Sequence, residues 1–227
     1  MNKPSKPARE NISPSDLTFG LSTCKRCLWI KYWYKVIMPG QFPLVGTFAN
    51  MQEEHFHHAD MPTIDASLRP GTITKWGEWV KSKPLQINGV DTRWRILGKY
   101  DLVSTNEDGT LGLIDCKVSD SARDNGAFYS PQLEAYAFAL ENPAAGKPAT
   151  VASIGLLVWN PVTAIGEDKN SYGFSVTQKY LPVERNVPHF LDTIKGFINV
   201  LEGEIPDPGS ECPTCTYLVS RNALEKL

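Results

Sequence analysis

The fold of this chain is decided by residues 92–119, which read TRWRILGKYDLVSTNEDGTLGLIDCKVS. Two runs rich in apolar residues, TRWRILGKYDLVS and LGLIDCKVS, flank the polar segment TNEDGT. Asn, Asp and Gly favour the backbone torsions of tight hairpin turns, and they occur in this segment as Asn106, Asp108 and Gly109. The pattern therefore predicts two antiparallel strands joined near Asp108.

This hairpin would place two acidic residues opposite each other. Asp101 and Asp115 each lie seven residues from Asp108. A turn centred there brings their Cβ atoms to about 5 Å from each other across the strand pair. Lys117 follows Asp115 by two residues and shares its face of the strand, whereas Cys116 points to the other face. One face thus gathers two carboxylates and one ammonium group.

Two carboxylates this close repel each other unless a cation joins them or one of them is protonated. A hard divalent cation such as Mg²⁺ suits oxygen ligands. Such an ion beside a phosphodiester polarises the phosphoryl oxygen and lowers the pKa of a bound water. The alternative interpretation is a surface hairpin whose Asp and Lys side chains form an exposed salt bridge, worth at most about 1 kcal/mol. Spacing alone leaves both interpretations open.

The rest of the chain predicts a mixed α/β fold, in which helices flank a central sheet. Capping and apolar patterns indicate helices and further strands, and the Pro- and Gly-containing segment IPDPGSECPTCTYL is expected to be irregular. One expected helical stretch begins at Ser13 and ends with LWIKYWY at residues 28–34. The other expected helices cover residues 45–60, 131–140 and 186–204. The expected strands cover residues 72–103, 151–161 and 172–183.

Composition limits the possible classes of protein. The chain has 227 residues, 41% hydrophobic and 21% charged, which is typical of one soluble globular domain. The net charge of -2 excludes an overall basic field, so nucleic-acid binding would need a local basic patch. No apolar run approaches the roughly 18 residues of a membrane-spanning helix. We therefore expect a cytoplasmic protein with no membrane partner.

Four of the five cysteines form two CxxC pairs, Cys24 with Cys27 and Cys212 with Cys215. In a reducing compartment this pattern favours a metal site over disulfides. A shared metal would join the N-terminal and C-terminal segments and would stabilise the fold by closing a long loop. Four thiolates suit either structural Zn²⁺ or an iron–sulfur cluster.

Several motifs together resemble the PD-(D/E)XK nuclease superfamily, and in particular its RecB-like branch. Its core signature is similar to GKYD at 98–101 followed by LIDCK at 113–117, and its QxxxY motif is similar to QLEAY at 132–136. The opening ISPSDLTFGLSTCKRCLWIKYW and the closing CPTCTY also resemble that branch. The resemblance implies a restriction-endonuclease-like core over residues 12–218, with tails at 1–11 and 219–227.

The resemblance also implies roles for individual residues. Asp101 and Asp115 would bind Mg²⁺ or Mn²⁺, and Lys117 would be the catalytic lysine. Gln132 and Tyr136, one helical turn apart, would contact DNA or order the active centre. Because several RecB-like nucleases hold a [4Fe-4S] cluster on four cysteines, we expect such a cluster at Cys24, Cys27, Cys212 and Cys215, with structural Zn²⁺ as the alternative.

One position departs from the pattern of the branch. The branch often has Gly-x-x-x-His in an early helix, with the histidine on the metal, whereas here Gly46 is followed by Asn50. Glu53 or Glu54 could supply a carboxylate instead, and the expected third ligand is Glu54, one helical turn after Asn50.

The expected function is that of a metal-dependent deoxyribonuclease, specifically an exonuclease on single-stranded DNA or DNA ends. Asn50 also suggests an alternative, a catalytically weakened DNA-binding or scaffolding subunit of a recombination, repair or defence complex. The expected macromolecular partners are DNA and a helicase or recombination and defence proteins.

Overall fold

The computed structural model describes residues 3–36, 44–119, 125–166 and 173–224, so the ends of the two predicted tails lie outside the described residues. Within these ranges, no helix combines the length and the apolar character that crossing a membrane requires. The helices are α1 (Pro14–Thr23), α2 (Lys25–Tyr34), α3 (Val45–His55), α4 (Met61–Ile64), α5 (Gly126–Glu141), α6 (Val187–Glu202) and α7 (Pro213–Leu224). The strands are β1 (Asn11–Ile12), β2 (Gly71–Trp76), β3 (Trp79–Lys81), β4 (Gln86–Ile87), β5 (Val90–Asp91), β6 (Arg95–Lys99), β7 (Leu102–Asn106), β8 (Leu111–Val118), β9 (Val151–Ile165) and β10 (Gly173–Val183).

The central sheet has five strands in the order β10-β9-β8-β7-β2. Strands β8 and β9 are parallel, and the other neighbours are antiparallel. A parallel pair needs a crossover connection, and α5 supplies it between β8 and β9. The predicted mixed sheet flanked by helices is therefore confirmed. Smaller sheets join β1, β6 and β3, and β4 with β5.

Both faces of the central sheet are covered by helices. On β8, Leu113 packs into the core formed with α5 and α6, which contribute Leu133 and Phe197. The next residue, Ile114, packs into a second core on the opposite face, with Phe56 among its members. Strands buried on both faces are apolar without alternation. This explains why β8 is almost entirely apolar apart from Asp115 and Lys117.

The predicted hairpin register is confirmed, although its first strand is interrupted. Leu102 pairs with Ile114 and Val103 with Leu113, which centres the ladder on Asp108. The single strand predicted over the first half of the hairpin is wrong. Residues 95–99 of this segment form β6, which pairs with β1 and β3 in another sheet. The break lies at residues 100–101, immediately before β7.

Other predicted boundaries are also wrong. The segment expected to be irregular contains the start of α7, because Pro213 occupies the first helical position, where proline is well tolerated. The early helical stretch divides at Cys24, whose extended backbone separates α1 from α2. Helix α5 begins at Gly126, before the expected start at Ser130.

Gly98 on β6 allows α1 and α5 to approach the strand closely. A Cβ at this position would lie 2.7 Å from Pro14 Cδ and 2.8 Å from Tyr136 Cε1. Both contacts are shorter than packed carbon atoms tolerate, so Gly98→Ala must displace one helix. We expect the free energy of unfolding, measured by urea titration, to fall by about 1–3 kcal/mol.

Gly196 on α6 provides the matched control. A Cβ there meets no atom within 4 Å, and alanine is the better helix former by about 1 kcal/mol. Gly196→Ala should therefore leave the free energy of unfolding unchanged or raise it slightly. A Gly98→Ala variant as stable as the parent chain would contradict the proposed close packing.

Candidate active site

The candidate active site lies where the β7–β8 ladder ends. Continuing the register by one pair beyond Leu102 and Ile114 sets Asp101 opposite Asp115. The Cys116 N–H donates a hydrogen bond of 2.6 Å to Asp101 Oδ2, which fixes the Asp101 carboxyl against β8. Asp115 is buried within β8. The strand pairing thus brings together the two carboxylates that the sequence placed opposite each other.

The electrostatics of Asp101 reflect this crowding. Burial raises the pKa of Asp101, and the negative charge of Asp115 raises it further, to about 7. The positive charge of Lys117 and the hydrogen bond from Cys116 offset part of this rise. In the metal-free protein the carboxyl of Asp101 therefore keeps its proton up to about neutral pH.

Lys117 supplies a fixed positive charge at the same place. Its Nζ forms an ion pair with Asp115 Oδ2 and lies 4.9 Å from the ring centroid of Tyr129. Burial lowers the pKa of Lys117, but the charges of Asp115 and Asp101 outweigh burial, so the pKa is raised. Lys117 is consequently an ammonium ion, as a role in balancing negative charge requires.

A third carboxylate reaches the site from α3, and it belongs to Glu53. Glu53 is buried, and its negative charge contributes to the raised pKa of Asp101. Glu54, the expected third ligand, is exposed, as is Asn50. Helical residues three and four apart both share a face, so spacing from Asn50 did not distinguish Glu53 from Glu54. The structure favours Glu53 as the third carboxylate.

Contacts of α3 with the sheet and with Lys99 determine which residue faces the site. The buried Gln52 Nε2 donates hydrogen bonds to Lys117 O at 3.4 Å and to Leu157 O at 3.3 Å, which ties α3 to β8 and β9. Lys99 Nζ lies 3.3 Å from Glu53 Oε1 and 3.2 Å from Glu53 Oε2. Sequence reasoning missed Lys99, although it stands two residues before Asp101.

A glycine makes room for this ion pair. Gly77 has φ of +58°, a conformation that glycine adopts readily. A Cβ there would lie 2.5 Å from Glu53 Oε2 and 3.0 Å from Lys99 Nζ. The turn between β2 and β3 can therefore pass close to the site because it carries no side chain.

Helix α5 orders the site from the other side. Gln132 Nε2 donates a hydrogen bond of 2.8 Å to Asp115 Oδ1, and Tyr136 OH donates one of 2.7 Å to Lys99 O. Both residues are buried, and the pKa of Tyr136 is raised by burial and by the two aspartates. Of the two expectations for this pair, this geometry fits ordering the active centre.

The charges at the site are unbalanced in a way that suits a divalent cation. Three carboxylates, from Asp101, Asp115 and Glu53, face two ammonium groups, from Lys99 and Lys117. An all-oxygen, net negative donor set is what Mg²⁺ and Mn²⁺ prefer. The donor set therefore fits the expected ion.

The four cysteines of the CxxC pairs converge on a separate site. Cys24 and Cys27 flank the start of α2, and Cys212 and Cys215 flank the start of α7. The four Sγ atoms lie within 4.8 Å of one another. Individual separations are 3.8 Å for Cys24–Cys215, 3.7 Å for Cys27–Cys212 and 3.7 Å for Cys27–Cys215. These residues could hold a metal ion that joins the two ends of the fold.

The thiols of this cluster differ in acidity. Burial raises the pKa of Cys24, but hydrogen bonds from the backbone of Cys27 and Gly209 outweigh burial, and the pKa falls to about 6. Burial and the neighbouring thiols raise the pKa of Cys27. One thiolate thus forms readily near neutral pH, and further thiolates need a cation to offset their repulsion.

The sequence from residue 47 to residue 220 matches the family described as the PD-(D/E)XK nuclease superfamily. The chain belongs to this superfamily. The match includes the whole carboxylate site and the second CxxC pair, whereas Cys24 and Cys27 precede it. Members of the PD-(D/E)XK superfamily are typically metal-dependent nucleases, which agrees with the donor set at Asp101 and Asp115.

Comparison with other known proteins adds a similar solved structure. The crystal structure of SSO0001 is 13% identical in sequence to this PD-(D/E)XK chain and superposes on it with a TM-score of 0.46. The matched region covers 87% of this chain and 79% of the SSO0001 chain. The chain matches no curated protein.

Metal binding at the carboxylate site should depend on pH. The folded-state pKa of Asp101, about 7, lies above the ordinary aspartate value of 3.8, so the metal-free fold loses stability as pH rises between these values. A bound cation must displace the proton. We expect Mn²⁺ affinity, measured by calorimetry, to rise by up to about tenfold per pH unit below about pH 7 and to level off above it.

Asp101→Asn supplies the control, because its amide cannot hold the displaced proton. Any residual Mn²⁺ binding by this variant should show a weaker pH dependence. A constant Mn²⁺ affinity of the parent protein between about pH 5.5 and 7 would contradict the raised pKa.

Proposed function

We propose that this protein is a Mg²⁺- or Mn²⁺-dependent deoxyribonuclease that hydrolyses phosphodiester bonds in single-stranded DNA or at DNA ends. The observation that carries the proposal is Asp101 set opposite the buried Asp115, with Lys117 beside them. This arrangement lies in a chain of the PD-(D/E)XK nuclease superfamily. Exonuclease action and membership of the RecB-like branch are part of the same proposal.

Asp101, Asp115 and Glu53 are the residues that would hold the catalytic cation. When bound, the ion supplies Lewis-acid polarisation of the scissile phosphate and a water of lowered pKa. The chain positions these oxygen donors in advance: Cys116 N–H holds Asp101 and Gln132 holds Asp115. Such preorganisation reduces the rearrangement that ion binding requires.

Lys117 acts as a charged hydrogen-bond donor in this proposal. Its raised pKa keeps it protonated, so it orients the attacking water and neutralises charge that develops on the phosphate. Tyr136 is a positioning residue, because it acts through the Lys99 carbonyl.

Replacing Lys117 tests the proposed chemistry. Lys117→Ala should lower the rate of cleavage of end-labelled single-stranded DNA with Mn²⁺ by at least about 100-fold, since it removes preorganised positive charge from the reacting phosphate. The variant should remain folded, as judged by circular dichroism, and should still bind DNA. The measurement is a time course resolved on a sequencing gel, whose product ladder also gives the polarity of cleavage.

The matched control is Lys179→Ala, which removes an exposed lysine from β10 and should cleave at the parent rate. Comparable cleavage by Lys117→Ala and the parent protein would overturn the proposed mechanism. DNA binding without cleavage by any of the proteins would instead support the alternative, a DNA-binding or scaffolding subunit of a recombination, repair or defence complex.

We further propose that the four cysteines hold one structural zinc ion. Around a tetrahedral zinc with Zn–S bonds of about 2.3 Å, neighbouring sulfurs lie about 3.8 Å apart. The shortest Sγ–Sγ separations here are 3.7 and 3.8 Å. In the expected [4Fe-4S] cluster each thiolate binds a different iron, so the sulfurs are separated by the whole cluster. The close spacing supports the zinc alternative over the cluster.

Metal analysis distinguishes these two cofactors. Protein purified without oxygen should contain one zinc ion per chain by mass spectrometry and should be colourless. Cys215→Ser should lose most of this zinc and unfold at a lower temperature, because the ion joins α2 to α7. Cys116→Ser, which changes the fifth cysteine, should retain the zinc. Iron and sulfide in place of zinc, with visible absorption, would contradict the zinc assignment.

A further inference from the structure

Three aromatic side chains, two of them exposed and one partly buried, form a cluster beside the candidate active site. Phe19 lies on α1, and Phe128 and Tyr129 lie on α5. Their ring centroids are 5.2 Å apart for Phe19–Phe128, 5.1 Å for Phe128–Tyr129 and 5.9 Å for Phe19–Tyr129, all in edge-to-face arrangements. Phe19 and Phe128 are each 44% exposed, which is more than a role in the core requires.

Tyr129 connects this aromatic cluster to the catalytic lysine. The ring of Tyr129 lies 4.9 Å from Lys117 Nζ, and Phe19 and Phe128 both contact the same ring. A phosphate bound at Lys117 would therefore have the aromatic cluster as its immediate neighbour. The base of a nucleotide at or next to that phosphate is the group that can reach Phe19 and Phe128.

We propose that Phe19, Phe128 and Tyr129 form a subsite that stacks an unpaired base next to the scissile phosphate. The inference rests on the proposed nuclease function and specifies how its substrate is recognised. Nucleic-acid bases stack on aromatic side chains regardless of sequence, and cations beside the ring bind the backbone. The exposed rings of Phe19 and Phe128, with the partly exposed ammonium of Lys117 beside Tyr129, match both needs.

The subsite gives the protein a preference for single strands. Away from the ends of a duplex, both faces of a base are covered by neighbouring base pairs, and exposing one face requires unstacking. An unpaired nucleotide presents its face at little cost. Binding at Phe19 and Phe128 therefore discriminates against intact duplex without contacting any base edge, and it imposes no strong sequence preference.

The test measures binding separately from cleavage. All proteins carry Asp115→Asn, which blocks metal-dependent cleavage and leaves Lys117 in place. The probe is a fluorescein-labelled oligothymidine of about 12 nucleotides, intact or with a single abasic site at each position in turn. Dissociation constants come from fluorescence anisotropy, with a duplex of the same length for comparison.

We expect an abasic site at one position, or at either of two neighbouring positions, to raise the dissociation constant by about fivefold or more. Loss of one base–aromatic stack has an effect of this size. Phe128→Leu should weaken binding of the intact oligonucleotide by a similar factor and should remove the penalty of the abasic site. Phe128→Trp should restore both. Phe19→Leu should also weaken binding of the intact oligonucleotide. Because Phe19 lies on α1 and Phe128 on α5, agreement between the two variants would show that the loss does not come from a folding defect in one of them.

Phe174→Leu is the matched control, since Phe174 is an exposed phenylalanine on β10, and it should bind like the parent. Single-strand binding with no sensitive abasic position would overturn the subsite while leaving the nuclease proposal in place. An unchanged abasic penalty in Phe128→Leu would overturn it in the same way. Failure to bind any DNA would overturn the subsite and the proposed function together.

Discussion

The repulsion between two carboxylates, the buried Asp115 and the partly buried Asp101, is the constraint on which the site depends. Pairing of β7 with β8 sets Asp101 opposite Asp115, and burial prevents water from screening their charges. The free energy of that repulsion is reduced by three devices: a proton on Asp101, the ammonium of Lys117 and, in the proposed active form, a divalent cation. A site of this kind binds hard cations because it is incomplete without positive charge.

The surrounding fold serves to keep this arrangement fixed. Helix α3 is held to the sheet by Gln52 and supplies Glu53. Helix α5 contributes Gln132 to the site and is also the crossover between the parallel strands β8 and β9, so the connection that the topology requires also positions Asp115. The four cysteines belong to other segments of the chain and bring the start of α2 next to the start of α7. The proposed catalytic cation and the proposed zinc ion thus have separate ligand sets, one of hard oxygen donors and one of soft thiolates.

Local sequence was sufficient to predict the centre of the fold, because turn residues and strand alternation act over short distances. The turn at Asp108 predicted the β7–β8 register, and the even spacing of Asp115 and Lys117 predicted that both lie on one face of the hairpin. The choice of Glu53 over Glu54 could not be predicted in this way, since it depends on how α3 docks against β8. The break at residues 100–101 likewise depends on partners distant in the chain, because β6 pairs with β1 and β3.

The central claim is that the β7–β8 pairing creates a divalent-cation site from Asp101 and Asp115. The most direct measurement is a crystal structure grown with saturating Mn²⁺ and recorded with anomalous scattering. The account predicts an anomalous peak bound by oxygens of both aspartates, with a carboxylate oxygen of Glu53 nearby. An ordered hairpin with no peak there, and with Asp101 still hydrogen bonded to Cys116 and Asp115 still paired with Lys117, would contradict it.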